Sequence, residues 1–394
     1  MPKRIRVLQM FYTFDIEVGG GGLTRFAVEL GKGLDPDLFD VILVSLGFYH
    51  SQKGQECIDQ LNAGGIRAYE ATRWVENKPY RSFLQSIKTL SKEIARHPVD
   101  ILHSHSEYTD VSAIILKLTN KIPYVIRTVH YGYQYEWRTK PIRRILLTNF
   151  FYPILFHTEI GVSQANTTRL NRRRIARLFR REAVCIHNAI PVESFTNLKI
   201  NTQEKKISLG IPPSATVIGT VGRLADQKGY EYLIGAAQLV LQEYPQAFFL
   251  IIGDGPLADQ LKDMARQKDI ARQVIFTGGR SDVGELLACM DLFVSSSLWE
   301  GLPTVLLEAM ACNIPIVATN IPGTKELIKH RENGWLVPPS NSEELGKAII
   351  YMIKSPTLRL QIARQAQIDV DRFSIKSISK EYEALYESLC NPTE

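Results

Sequence analysis

The sequence predicts an α/β protein built from two doubly wound parallel-sheet domains, and three observations carry that prediction. Short apolar runs alternate with segments of helical period along the whole 394-residue chain, the signature of strand–helix crossovers. Glycine-containing turns follow several of the apolar runs, at the strand ends where such folds bind ligands. The alternation breaks once, at the polar stretch NLKINTQEKK of residues 197–206, and then begins again. A chain this long exceeds one ordinary core, so the expected division is a first domain at 1–195 and a second at 196–373.

In chain order, IRVLQMFY reads as a first buried strand, followed by a loop of Gly19 to Gly22 and the helical pattern LTRFAVELGKGL. Counting from Gly19, the last position of G-x-G-x-x-G falls on Thr24, so the dinucleotide fingerprint fails. DVILVSL, a helix near 52–63, a short strand near 66–70 and a helix near 80–96 follow. Then come DILHSHS, a helix near 109–119 and PYVIRTVH. Alternation places His103 and His105 on one side of their strand. No third metal ligand follows at a suitable spacing, which favours ordinary hydrogen bonding. The second half repeats the pattern with TVIGTVGR, AFFLIIGDG, VIFTGG, DLFVSSS, IPIVATN and GWLVPP as strands. Helices are expected at about 342–353 and 356–367, and SIKSISKEYEALYESL is a last amphipathic helix.

Composition narrows the class. Hydrophobic content of 45% and charged content of 22% are those of a soluble globular chain. The apolar stretch at 145–156 is too short for a membrane span and contains Asn149 and Pro153. The opening MPKRIRVLQMFY enters a strand pattern without signal-peptide architecture. Five cysteines without a C-x-x-C read as reduced thiols, so a cytoplasmic protein is expected, peripheral at most to the inner face of a membrane. Residues 1–190 hold 27 Lys/Arg against 17 Asp/Glu, which turns the first half toward something anionic. Seven arginines lie between Arg169 and Arg181, after an aromatic and cationic helix pattern that starts near 140. Residues 140–181 therefore read either as a solvated face or as a contact with an anionic membrane surface. No nucleic-acid-reading module accompanies them.

The chemistry concentrates in SSSLWEGLPTVLLEAMACNIP, residues 295–315. Pro303 suits the first turn of a helix, where its missing N–H costs nothing. The helix start would aim unpaired N–H groups of Thr304 and Val305, behind Gly301 and Leu302, at an anion such as phosphate. Glu300 precedes that helix and Glu308 follows one turn in, eight positions later. Upstream lie VGRLADQKG, with Arg223 and Lys228 spaced R-x4-K after Gly222, and IIGDGP with Gly253. Two D-x-D triplets, Asp35/Asp37 and Asp369/Asp371, sit at element ends away from these motifs. No metal site is expected from them.

Together these motifs resemble the GT-B-fold, retaining nucleotide-sugar glycosyltransferases of glycosyltransferase family 4, and the resemblance spans nearly the whole chain. It implies two Rossmann-like domains facing across a cleft, with the terminal helix at 374–394 crossing back to the first. It implies that Arg223 and Lys228 hold the donor diphosphate, Glu308 the ribose and Glu300 the sugar. The base would sit near Gly278, Arg280 and Asp282. Gly21, Gly22 and Arg25 resemble the family's GG-x-x-R segment, and His130, before the aromatic loop 131–137, would lie over the transferred sugar. A structural hydrogen-bonding role for His130 stays open. The family usually has Asn-Gly where this chain has Asn188-Ala189, so Ala189 must avoid a left-handed conformation. The implied activity moves a hexose from a UDP-sugar, UDP-glucose first among candidates, to a saccharide or lipid-linked acceptor with retention and without metal, in polysaccharide or glycolipid biosynthesis. Alternatives are a GDP-sugar donor, an epimerase or hydrolase of the same architecture, and a non-catalytic binding relative.

Overall fold

A computed structural model describes residues 3–15, 21–47, 50–75, 78–130, 145–196 and 198–391. Two compact units divide the chain: Met1–Ala189 with Ile375–Glu394, and Ile190–Ser374. The second unit begins ahead of the polar stretch because the Ile190 N–H donates to the Phe373 carbonyl and the segment bridges to Ser374.

The first unit is a parallel sheet of β1 (Ile5–Phe11), β2 (Phe39–Ser45), β3 (Arg67–Glu70), β4 (Ile101–Ser104), β5 (Tyr124–Val129), β6 (Thr158–Gly161) and β7 (Val184–Cys185), ordered β3-β2-β1-β4-β5-β6-β7. Its strands are apolar on both faces because helices cover both. Leu8 and Met10 pack on one side with Leu90 and Leu116, and Val7 on the other with Phe26 and Leu30. The helix Ile375–Cys390 belongs to this unit, and its Ile378, Tyr382 and Tyr386 complete the core around Val7, Ile101 and Ile126. The order reverses between β1 and β4, which opens a crevice at their carboxyl ends.

The second unit is a parallel sheet of β8 (Val217–Val221), β9 (Phe248–Ile252), β10 (Val274–Phe276), β11 (Leu292–Ser295), β12 (Ile316–Thr319) and β13 (Trp335–Val337), ordered β10-β9-β8-β11-β12-β13. Here the winding reverses between β8 and β11. Both sheets match the Rossmann-like reading. Among the described residues no helix is long and apolar enough to cross a membrane.

Three local readings need correction. Gly21 and Gly22 are not loop residues; they open the helix Gly21–Gly33, while Gly19, Gly20 and the aromatic loop 131–137 lie outside the described residues. Pro303 is the N-cap of the helix Thr304–Ala311, one position before the first turn, with ψ 102°. Arg173, in the arginine run, is buried at 8% exposure and so cannot face any surface. Ala189 avoids positive φ, and Asn313 takes it (φ 56°) just past the helix end, as a helix C-terminus favours.

Arg173 joins a buried four-charge network. Arg127 contacts Asp110 at 2.9 Å and Glu159 at 3.2 Å, and Arg173 pairs with Glu159. Arg173 also donates to the carbonyls of Thr148 (2.7 Å) and Leu170 (2.8 Å), and the Arg127 guanidinium lies 4.1 Å from the Tyr152 ring centre. Removing one member of such a network strands the opposite charge, at a cost of about 3–5 kcal/mol. Arg173→Ala should therefore lower the urea midpoint sharply, while exposed Arg174→Ala should shift stability by no more than about 0.5 kcal/mol. Equal midpoints for the two variants would mean that the network carries no stability.

Candidate functional site

The crevice of the second sheet brings together the loop after β8 and the loop after β11. In the first, Asp226–Lys228 form one 3₁₀ turn and Gly229 turns left-handed (φ 56°) to start the helix Tyr230–Glu243. That turn presents Lys228 to Glu300, with Nζ 2.6 Å from Oε1. Ser297 Oγ donates to the same oxygen at 2.8 Å, and Gln227 Nε2 donates to Oε2 at 3.1 Å and to the Trp299 carbonyl at 2.9 Å. Three donors hold the carboxylate, and one acceptor position remains on Oε2. Lys228 keeps two N–H donors beyond its bond to Glu300. Arg223, by contrast, is exposed and its guanidinium has no partner among the described residues.

Glycine lets these backbones meet. A Cβ on Gly253 (φ 135°) would stand 2.1 Å from the Gly222 carbonyl oxygen, and one on Gly323 would stand 2.6 Å from that of Gly301. Any side chain at either place would push the loops apart. Gly301, Leu302 and Pro303 are buried and lead into the helix that carries Thr304 and Val305, both half-buried at its first turn. Its first N–H groups and positive dipole end would favour an anion placed there. Glu308 is buried at 3% exposure one turn along.

The loop after β10 differs in character. Gly278 accepts a hydrogen bond from the Gly253 N–H at 2.9 Å. Arg280 grips Asp282 through two bonds, 2.8 and 2.6 Å long, and Lys205 Nζ adds a third contact at 2.5 Å. The Arg280 guanidinium, helped by Lys205, holds the Asp282 carboxyl well below the usual carboxylate range. These side chains are satisfied by one another, so this loop offers a ligand chiefly its backbone.

In the first unit, β4 ends at Ser104, and a Ser106–Thr109 capping box fixes the next helix, Glu107–Thr119. His105 lies between them, with its Nδ1 3.3 Å from His130 Nε2 and its Nε2 3.1 Å from Gln9 Oε1. His130 Nδ1 lies 3.2 Å from Asn188 Oδ1. His103 sits beneath, between Tyr386 Oη (2.8 Å) and Thr128 Oγ1 (2.7 Å). The histidine pair considered for metal is thus engaged in protein hydrogen bonds. Burial pushes the His103 and His130 imidazoles down to about 3, and His105 is also held neutral. A cavity of about 30 Å³, room for one water, is lined by His105, Asp110, Arg127, His130, Thr148 and Tyr152 among others.

Both D-x-D triplets have local duties. Asp35 Oδ1 accepts from the Asp37 N–H at 2.8 Å, ahead of β2, and Asp369 accepts from Asn333 (2.6 Å) and Gln365 (2.9 Å). A basic and apolar surface lies elsewhere on the first unit. Leu146, Phe150, Phe151 and Ile154 are exposed on the helical segment 145–155, which packs against the helix Arg174–Leu178. Leu178 and Phe179 are exposed there beside Arg172, Arg174, Arg177, Arg180 and Arg181. Residues 140–144 lie outside the described residues.

Gln227, Ser297, Gly323, Gln9 and Asn188 were not singled out from the sequence as site residues. Uncharged amides, hydroxyls and small residues carry no spacing signal of their own.

Comparisons with known proteins agree with this architecture. Residues 201–369 match the family described as Glycosyl transferases group 1, and residues 20–194 match Glycosyltransferase Family 4. An uncharacterized glycosyltransferase of Haemophilus influenzae is 34% identical over 186 residues, 47% of this chain and 52% of that protein. The chain thus spans about half the length of that relative. A UDP-Gal:alpha-D-GlcNAc-diphosphoundecaprenol alpha-1,3-galactosyltransferase of Escherichia coli is 25% identical over 90% of each chain. The crystal structure of Anabaena HepE with UDP-glucose superposes with a TM-score of 0.80 at 22% identity, covering 98% of this chain and 100% of that one. These likenesses give the fold as GT-B.

The buried histidines set a pH dependence. An unfolded histidine titrates near 6.5, whereas folded His103 and His130 stay neutral to about 3. Between those values the unfolded chain binds protons that the folded chain does not, so stability falls as pH falls. Between pH 7.5 and 5 the loss should be about 2 kcal/mol per histidine, read as faster hydrogen exchange in β4 and β5. Exchange from open states that is unaffected by this change, after correction for intrinsic rates, would mean that the imidazoles titrate normally.

Proposed function

Since this chain belongs to the group 1, family 4 glycosyltransferases, we propose that it transfers a hexose from a UDP-hexose to a hydroxyl of a lipid-linked saccharide, in polysaccharide or glycolipid biosynthesis. The observation that carries this reading is the meeting of Lys228 and Glu300 at the crevice between β8 and β11, beside an unpaired Arg223. A departing diphosphate needs its charge stabilised. Arg223, the two spare N–H groups of Lys228 and the helix start at Thr304 and Val305 supply that. Glu308 is assigned to the ribose hydroxyls, and Glu300, with one acceptor position left, to a hydroxyl of the sugar. The base rests against backbone at Gly278. His130, Gly21 and Gly22 keep the roles toward sugar and phosphate that the resemblance implies.

The proposed displacement retains anomeric configuration. The bond from the sugar's anomeric carbon to the phosphate oxygen breaks, the acceptor oxygen bonds on the same face, and the leaving phosphate oxygen takes the acceptor's proton. With two cations and a helix dipole in place, no divalent ion is required. The names of the relatives support a UDP-sugar: the Escherichia coli protein takes UDP-galactose and a polyprenyl-diphosphate-linked sugar, and the Anabaena structure holds UDP-glucose. UDP-glucose and UDP-galactose, with GDP-mannose as control, form the donor panel. A requirement for acceptor separates a transferase from an epimerase or hydrolase.

Arg223→Ala and Lys228→Ala should each weaken UDP binding ~10-fold or more in calorimetry, as loss of a charge-assisted contact implies. Glu300→Ala should leave UDP binding at least as tight, because it frees Lys228, yet lower turnover roughly 100–1000-fold. Glu308→Ala should weaken UDP and UDP-hexose together. Unchanged UDP affinity in both cation variants, or activity abolished by EDTA and restored by Mg²⁺, would remove this charge balance.

A lipid-linked acceptor requires access to a bilayer. The exposed Phe150, Phe151, Leu178 and Phe179 beside five exposed arginines suit apolar insertion at an anionic surface. Wild type should pellet with phosphatidylglycerol vesicles at low salt. Arg172→Gln/Arg174→Gln/Arg177→Gln should lose that binding and retain UDP affinity. A wild type that ignores such vesicles leaves the arginines as a solvated face.

A further inference from the structure

The four groups Gln9, His105, His130 and Asn188 form an unbranched chain of three contacts, 3.1, 3.3 and 3.2 Å long. Three of them are at most 5% exposed and His130 is at 9%, so bulk water has little access to a missing bond. A neutral imidazole carries one N–H. Two ring protons must therefore serve three contacts, and one of the two amides has to supply the third.

With Gln9 and Asn188 both facing the rings through oxygen, each ring proton is drawn outward and His105 Nδ1 meets His130 Nε2 lone pair to lone pair. One amide must be turned, since nitrogen and oxygen of an amide are assigned from the hydrogen bonds they make. The surroundings select Gln9. Among the described residues its Nε2 is buried without a partner when its oxygen faces His105, whereas Asn188 has further interactions of its own. An orphaned buried N–H is rarer in proteins than an under-satisfied carbonyl. Turning Gln9 gives its N–H₂ to His105 Nε2 and removes the orphan.

We infer that Gln9 and His105 are positioning residues that fix one proton order. Gln9 Nε2 donates to His105 Nε2, His105 Nδ1 donates to His130 Nε2, and His130 Nδ1 donates to Asn188 Oδ1. Both ring nitrogens of His130 are then committed to protein, and it meets its substrate as an oriented neutral ring with no nitrogen to give or take a proton. That last consequence rests on the proposed role of His130 toward the sugar; the proton order does not. Among the described residues, the charged and titratable groups that face the chain are His103 from β4, Glu107 and Asp110 from the helix after it, Arg127 from β5, and Tyr152.

The test is long-range proton–nitrogen NMR on histidine-labelled, full-length protein without substrate, with resonances assigned by single-histidine variants. Wild type should show His105 and His130 both protonated at Nδ1 and bare at Nε2, unchanged from pH 7.5 to 5.5. Ionised, Gln9→Glu keeps the shape but only accepts, so the His105 Nε2 signal should move into the protonated range. A proton already on His105 Nε2 in wild type, or no movement in a Gln9→Glu protein whose other amide shifts match wild type, overturns the inference. Should Gln9→Glu fail to fold, the wild-type pattern decides alone. Turnover is a separate readout: the inferred proton order with undiminished kcat in Gln9→Glu would leave the order standing and remove His130 from the sugar.

Discussion

Where a parallel sheet reverses its winding, the loops following two neighbouring strands leave toward opposite faces, and a gap opens at their carboxyl ends that backbone cannot fill. Both units of this chain are built around that constraint. Between β8 and β11 the gap receives Lys228 from one loop and Glu300 from the other; between β1 and β4 it receives Gln9 and His105. The chemistry of the two gaps differs because their linings differ. The first is half-exposed, carries a helix dipole and holds the Lys228–Glu300 ion pair. The second is buried and keeps its imidazoles neutral. One architecture thus produces an electrostatic site and a hydrogen-bonded one.

Placing ions inside the first unit has a similar logic. Arg127, Asp110, Glu159 and Arg173 neutralise one another within a region where none could stand alone. Such networks add little net stability against an apolar equivalent, yet they tie β5, β6 and the segment after β6 to a single arrangement. The segment so tied is the one that displays the exposed arginines and aromatics. A buried arginine anchors a surface made by its neighbours.

The sequence made the sheets legible because strand and helix differ in period, and burial on two faces removes polar residues from the strands. Glu300, Lys228 and Arg223 were legible because their spacing resembles that of a known family; taken alone, charged loop residues read equally well as solvated groups. Arg173 was not: among seven arginines, nothing local separates the one that tertiary packing buries from those left in water. Gln9 and Asn188 were equally silent. They stand 179 positions apart in the chain, and their meaning lies in a contact formed only once the sheet exists. The start of the first helix was misread by two residues because glycine suits a loop and a helix opening alike.

The last helix, Ile375–Cys390, belongs to the first unit although the whole second unit precedes it in the chain. Its tyrosines fill the core beside Val7 and bond His103 and Thr128. The second unit is, in genetic order, an insertion within the first. On the ribosome the second unit can close as soon as its own residues emerge, while the first waits for the helix Ile375–Cys390. Until then its β1–β4 crevice lacks the wall that Tyr382 and Tyr386 provide. A chain that lacked this helix would yield a finished second unit joined to an unfinished first one, and its histidines would be open to water.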